Sequence, residues 1–365
     1  MEKHVNKKKA LFLTVHRKDR SPSQRFRFEQ YIDFLERNGF ECKHFYLIGE
    51  KEDKIFYSNG KFAHKVRIVL GFYLKLFRLL RTEKHIDICF IQREAFVLGT
   101  TFFERKFSKR AKMIFDFDDS IWLQNVSDAN KKFVFLKNAN KTVDLIRISD
   151  LVFAGNQYLA DFASKHNQNV VIVPTTIDTT EYSPVEGKKA NEKITIGWSG
   201  SITTIQHFNY ALPVLRKIKD KYGDRVEIKV IGDGNYVNKE LGIQGLPWRK
   251  ETEIEELCSF DIGIMPLPDD EWAKGKCGLK GLQYMALAIP TIMSPVGVNT
   301  EIIKDGENGF LAAGEEEWIS KISALIEDKE LRESMGSKGR ETVVNEFSVI
   351  AWEKEYLKHF QSLIA

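Results

Sequence analysis

Along this chain, short apolar runs of strand length alternate with longer stretches in which apolar residues return every third or fourth position. The runs Ala10 to Val15, Cys42 to Ile48, Ile86 to Ile91, Met113 to Phe117, Leu151 to Ala154 and Val170 to Val173 are rich in β-branched and aromatic residues, which predicts buried strands. Helical periodicity lies between them, over Arg25 to Asn38 behind the polar Ser21, Pro22 and Ser23, and over Val66 to Arg81. Such alternation predicts β/α units on a parallel sheet. The rhythm pauses from Pro174 to Pro184 and across the polar stretch Gly187 to Lys193, which reads as a linker too polar to pack. A second series follows: Ile194 to Trp198, Val226 to Ile231, Ile262 to Pro266, Thr291 to Met293 and Phe310 to Leu311. The expected architecture is α/β, with two Rossmann-like domains, 1–175 and 176–347, facing across a cleft. A last helix, 348–365, is expected to dock back toward the first domain on a stripe of Ile350, Trp352, Tyr356, Leu357, Phe360 and Leu363.

Composition agrees with two packed cores. Of the 365 residues, 43% are hydrophobic and 29% charged, which excludes disordered and fibrous classes. The 55 basic and 51 acidic residues leave a formal charge of +4, too balanced for a bulk nucleic-acid binder. Cys42, Cys89, Cys258 and Cys277 have neither zinc nor redox spacing, so free thiols in a reducing compartment are expected. The apolar run Leu11 to Val15 is too short for a signal-peptide core or a membrane span, which points to the cytoplasm. One local patch stands out. Lys61, Lys65, Arg67, Lys75, Arg78, Arg81 and Lys84 interleave with apolar residues from Val66 to Leu80. That pattern suits an anionic membrane surface, and it equally suits a helix covering a sheet.

The densest chemistry lies after the strand at Ile262. A glycine-containing turn with Lys276, Gly278, Leu279 and Lys280 runs into a helix that carries Gln283. Helix N-termini bind phosphate through free N–H groups, whereas two lysines at such an end are disfavoured unless an anion is present. Gln283, three residues after Lys280, is placed to hydrogen-bond a sugar or ribose hydroxyl. Ser199, Gly200 and Ser201 end the first strand of the second half, where small residues let backbone N–H groups approach a diphosphate. Gly232 ends the next strand in a tight turn. Each of these also reads as an ordinary capped turn.

In order, the Gly-Ser turn, the strand ending at Gly232, the stretch Phe260 to Pro266, the turn from Gly278 to Ala286 and the segment Ser294 to Ile303 resemble family 4 retaining glycosyltransferases of the GT-B fold. The resemblance covers nearly the whole second half and weakly touches the first, at Ser23 to Arg27 and Ser149 to Ala154. It implies transfer of a sugar from a nucleotide diphosphate donor, held by the C-terminal domain, to a saccharide or lipid-linked acceptor on the N-terminal domain. It also implies no essential metal and no further cofactor. Two departures accompany it. Aligned on Gly278, the family's usual paired glutamates fall on Gly275 and Gln283, and the usual arginine and lysine after the Gly-Ser turn are replaced within Ile202 to Phe208. Lys276 and Lys280 take over that charge in this reading, and a catalytically silent nucleotide-binding subunit is the alternative.

Asp116, Asp118 and Asp119 end the strand at Met113. They resemble the first motif of haloacid-dehalogenase-type phosphatases, and Gly232 to Asn235 imitate the distal motif, although Val237 and Asn238 stand where its second acid belongs. Alternatively Asp118 and Asp119 face the acceptor as base or orienting group, or all three are turn and cap acids. Strand alternation puts Asp116 and Asp118 on one face, the one pair placed to hold Mg²⁺. His16, at the end of the first strand, and Arg25 complete the expected acceptor contacts. The expected catalytic set is Asp118, Asp119 and Lys280.

Overall fold

The computed structural model describes residues 7–58, 60–123, 138, 140–185 and 192–365. The start from Met1 to Asn6 and most of the stretch from Gly187 to Lys193 lie outside the described residues. The chain forms two compact units: residues up to Pro174 together with Glu353–Ala365, and Thr175–Trp352.

The first unit is built on a parallel sheet of β1 (Lys8–His16), β2 (Phe40–Ile48), β3 (Ile88–Gln92), β4 (Lys112–Phe117), β5 (Leu151–Ala154) and β6 (Val170–Ile172), in the order β2-β1-β3-β4-β5-β6. Consecutive residues Leu11, Phe12 and Leu13 are all buried, the mark of a sheet covered on both faces. The Phe12 ring lies 5.2 Å from Phe28 and 5.1 Å from Phe90. From the last helix, Val349–Ser362, Tyr356 stacks on Tyr31 at 4.1 Å and Phe360 reaches Phe12 at 6.0 Å. Ile350 departs from the expected stripe and is 61% exposed, because six residues before Tyr356 is about 1.7 turns, the opposite face.

The helix expected over Arg25 to Asn38 is broken into Pro22–Arg25, a 3₁₀ turn at Glu29–Tyr31 and Ile32–Arg37. The cause is local: Phe26, Arg27 and Phe28 are all buried, and three successive inward side chains do not fit a one-sided helix.

In the second unit, β7 (Ile194–Ser199), β8 (Val226–Gly232), β11 (Leu246–Pro247), β12 (Ile262–Met265), β13 (Thr291–Met293) and β14 (Phe310–Leu311) form a parallel sheet ordered β11-β8-β7-β12-β13-β14. Before β11, β9 (Val237–Asn238) and β10 (Ile243–Gln244) pair antiparallel. Numbered from β7, the large sheet has the order 3-2-1-4-5-6, so the direction of strand addition reverses between β7 and β12, and ligands of such sheets bind beyond the carboxyl ends at that point. Ile196, Trp198, Ile228, Ile264 and Ile292 anchor the core. The stretch after Pro174 is not the unpacked linker that its polarity suggested. Ile177 and Tyr182 are fully buried, and Ile177 exchanges backbone hydrogen bonds with Phe347 and Val349 at 2.8 and 3.0 Å.

Candidate functional site

At the reversal point of the second unit, the ends of β7 and β8 touch. Gly232 has φ +133°, and a Cβ placed there would stand 2.2 Å from the Gly200 carbonyl oxygen. Ser199 is held from the other side: the Tyr284 hydroxyl accepts its N–H at 2.7 Å and lies 2.9 Å from its Oγ. Burial pushes the Tyr284 hydroxyl above its ordinary pKa, so it stays protonated in this hydrogen bond. The Lys280 ammonium sits 5.6 Å from the centroid of the Trp198 ring, whose residue immediately precedes Ser199. Ser199, Gly200, Gly232 and Lys280 are thereby gathered around Trp198 and Tyr284, two residues that the sequence reading did not single out.

Backbone N–H groups of the Gly-Ser turn were expected to face a diphosphate, and here they are engaged. Ser199 donates to Tyr284, Gly200 to the Ile231 carbonyl at 2.9 Å and Ser201 to Thr204 Oγ1 at 2.8 Å. Ser201 is exposed at the turn. The helix Leu279–Ala286 begins beside this turn, and its N-cap Gly278 adopts φ +69° and makes no side-chain cap hydrogen bond. Leu279 and Lys280 open this helix. Lys276 belongs to the preceding turn and has its ammonium 5.1 Å from the Trp272 ring centroid.

Gln283 is buried, and its Nε2 donates both to Glu253 Oε1 at 3.1 Å and to the Tyr182 hydroxyl at 3.2 Å. Glu253 also accepts from Trp248 Nε1 at 2.9 Å and from the Tyr182 hydroxyl at 2.7 Å. This corrects the expected role in part: the amide nitrogen of Gln283 is committed inside the unit, so a ligand hydroxyl can meet only its Oε1, as an acceptor. A cavity of about 350 Å³ also lies in this unit, lined by Pro266, Leu267, Ser294, Ala312 and Trp318 among others and by none of the expected donor residues.

In the first unit, strand addition reverses between β1 and β3, and His16 ends β1. Gln24 clamps its backbone, accepting from the His16 N–H at 3.1 Å and donating to its carbonyl at 2.8 Å. The ring lies 3.3 Å through Nε2 from the Tyr57 hydroxyl, while Nδ1 is buried and has no hydrogen-bond partner among the described residues. Burial, followed by Arg20, lowers the His16 pKa to about 4, so the ring is neutral at physiological pH. Arg17 and Arg20 both bind Asp53, at 2.8 and 2.6 Å.

The aspartates at the end of β4 and just beyond it do not follow strand alternation. Asp116, fully buried, accepts from Arg27, which also donates to the Val173 carbonyl. Asp118 and Asp119 both turn to Arg93, with Asp118 at 2.9 Å from its Nε. The strand ends at Phe117, so the period-two rule no longer applies to the two residues that follow. Asp116 and Asp118 therefore serve different arginines instead of sharing a cation, and a fully buried, ion-paired Asp116 is not a phosphatase nucleophile. Arg25, expected to meet the acceptor, is buried with its guanidinium 5.0 Å from the Phe26 ring.

Residues 193–328 match the family described as glycosyl transferases group 1. The chain is 38% identical over 192 residues to a capsular polysaccharide biosynthesis glycosyltransferase, CapM, of Staphylococcus aureus, covering 49% of each chain. It is 29% identical over 143 residues to the sulfoquinovosyl transferase SQD2 of Arabidopsis thaliana, covering 36% of this chain and 27% of that one. The alignments thus span about half the length of these relatives or less. Among solved structures, a sucrose-phosphate synthase of Thermosynechococcus elongatus superposes with a TM-score of 0.72 at 10% identity, over 98% of this chain and 99% of that one. Anabaena HepE, solved with UDP and glucose, gives 0.65 at 14% identity over 97% and 100%. The fold is GT-B. All the expected donor residues, from Ser199 to Gln283, fall inside the matched stretch, whereas His16, Arg25, Asp118 and Asp119 lie outside it.

Proposed function

We propose that the protein is a retaining glycosyltransferase that moves a sugar from a nucleoside diphosphate donor to a saccharide or lipid-linked acceptor, in cytoplasmic steps of cell-surface polysaccharide or glycolipid assembly. The observation that carries the donor half is the close contact of Gly232 with Gly200 at the carboxyl ends of β7 and β8, with the Lys280 ammonium over the ring of the neighbouring Trp198, within the matched stretch. When the bond from the anomeric carbon to the diphosphate breaks, negative charge gathers on the leaving phosphate. Lys280, Lys276 and the uncapped helix end at Gly278 oppose that charge without a metal ion. Gly232 lets the backbone come close, and Gln283 Oε1 accepts from a donor hydroxyl. The acceptor oxygen attacks from the face that the phosphate leaves, and a phosphate oxygen takes the acceptor proton, which preserves the anomeric configuration. On the acceptor side, Asp118 and Asp119 are held by Arg93 and orient a hydroxyl, and His16 contributes a neutral ring.

A role in polysaccharide assembly is favoured by the similarity to CapM. The second reading, a catalytically silent nucleotide-binding subunit, is favoured by Gly275 and Gln283, which stand where the resembling family carries glutamates. Incubating the purified chain with a panel of nucleotide sugars separates the two. Donor hydrolysis or transfer supports the enzyme, nucleotide binding with neither supports the silent subunit, and the absence of any nucleotide binding contradicts both.

A further inference from the structure

We propose that the outward face of the Phe62–Thr82 helix docks on an anionic lipid surface. The inward face does what an α/β unit requires: Phe72, Leu76, Leu79 and Leu80 are buried. The flank beside that buried face is also apolar. Phe62, Val66, Leu70, Tyr73 and Leu74 are 62%, 42%, 61%, 43% and 66% exposed, and they recur at three- and four-residue intervals. A helix that only covered a sheet would carry polar residues there, and an exposed apolar flank marks an interaction surface.

Charge identifies the partner. From Phe62 to Thr82 there is no Asp or Glu, against Lys65, Arg67, Lys75, Arg78 and Arg81. Lys75 is tied to the Leu47 carbonyl at 2.8 Å and to Glu52 at 3.3 Å, whereas Arg67, Arg78 and Arg81 are exposed. The Arg81 guanidinium lies 4.4 Å from the Phe77 ring centroid. The neighbouring helix, Phe102–Ser108, extends the pattern: Phe102 is exposed with the Lys106 ammonium 5.5 Å from its ring, and Tyr73 meets Phe103 edge-on at 5.2 Å. Cations at the rim of exposed aromatic and aliphatic groups match a membrane interface, where apolar side chains enter the acyl boundary and bases meet anionic headgroups. A second copy of the same face would bring one basic rim against another, which disfavours self-association as the occupant. Among the described residues, no helix is long and apolar enough to cross a membrane, so this attachment is to the surface.

The inference stands apart from the donor reading, since docking needs no nucleotide. The test is sedimentation of the full chain with phosphatidylcholine vesicles, with and without phosphatidylglycerol. The chain is expected to bind only the phosphatidylglycerol vesicles, to be released by raised salt, and to lose at least tenfold in vesicle affinity in the Leu70→Gln/Leu74→Gln variant. Arg67→Gln/Arg78→Gln should weaken binding while leaving the apolar face intact. Thermal melts identify any variant that fails to fold, and the arginine pair, wholly at the surface, keeps the test open if the leucine pair does. Equal binding to both vesicle types, no binding, or a dimer that dissociates in the leucine variant would overturn the proposal.

Discussion

The α-carbon of Gly232 packs so closely on Gly200 that a methyl group at position 232 would stand 2.2 Å from the Gly200 carbonyl oxygen, in a backbone conformation of φ +133°. Neither the contact nor the φ tolerates a side chain. Gly232→Ala is expected to destabilise the second unit by roughly 1–3 kcal/mol from backbone strain alone, and to weaken nucleotide binding by moving the two turns apart. Urea unfolding and a nucleotide titration check the two effects. Unchanged values in both would remove this contact from the site.

Gln283 invites a restorative substitution that the structure argues against. Gln283→Glu would place a second carboxylate at about the 3.1 Å that now separates Gln283 Nε2 from Glu253 Oε1. Two buried carboxylates so close share a proton, so one acquires a raised pKa. The folded protein then binds a proton that the unfolded chain has released, and the variant's stability falls as pH rises above the ordinary carboxylate range. Thermal melts from pH 5 to pH 8 should show the variant losing ground to the wild type steadily with pH. A pH-independent difference would mean that the new carboxylate does not face Glu253.

Buried neutral histidines give the wild type its own acid dependence. His16 and His44 both have their pKa lowered from 6.5 to about 4 by burial first, with Arg20 next for His16 and Lys18 for His44. Between those values the unfolded chain binds protons that the folded protein refuses, so stability is full above pH 6.5 and falls as pH drops toward 4. Replacing His16 by Gln should flatten this fall between pH 6.5 and pH 5 in urea-unfolding series. A wild-type stability that rises on acidification over that interval would contradict the assignment.

Arg27 and Asp116 form a pair with both side chains buried. Removing one charge strands the other, which costs about 3–5 kcal/mol in comparable buried pairs. Asp116→Asn should therefore fold poorly or melt well below the wild type, whereas Asp118→Asn, closer to the surface, should cost far less. Calorimetry on the two variants checks the contrast. A neutral Asp116→Asn would reopen Asp116 as a chemical group.

The strand series was legible because parallel strands buried on both faces leave continuous apolar runs, such as Leu11 to Val15 and Ile262 to Met265, that need no tertiary information. What escaped the sequence has a common physical cause in distance along the chain. Tyr284 reaches Ser199 across 85 positions, and Arg93 collects Asp118 and Asp119 from 25 and 26 positions away. No periodicity records such pairs. The helix expected from Arg25 failed at Arg27 for the same reason, because the pull on that side chain comes from Asp116, 89 positions on. Two-residue strands such as Val237–Asn238 are too short for any pattern to register. Of the donor set, the glycines and lysines were visible as types out of place in their local context, but the engagement of the Gly-Ser N–H groups depended on side chains and carbonyls that only the fold brings near.

The donor assignment rests on Lys280, whose ammonium stands over Trp198 at the opening of the Leu279–Ala286 helix. Isothermal titration of wild type and Lys280→Ala with a nucleoside diphosphate, and in parallel with the matching nucleoside, reads that assignment directly. The account predicts that Lys280→Ala loses about tenfold or more in diphosphate affinity, the scale of one charge-assisted contact, with nucleoside affinity unchanged. Equal losses for the two ligands, or no loss for the diphosphate, would contradict it.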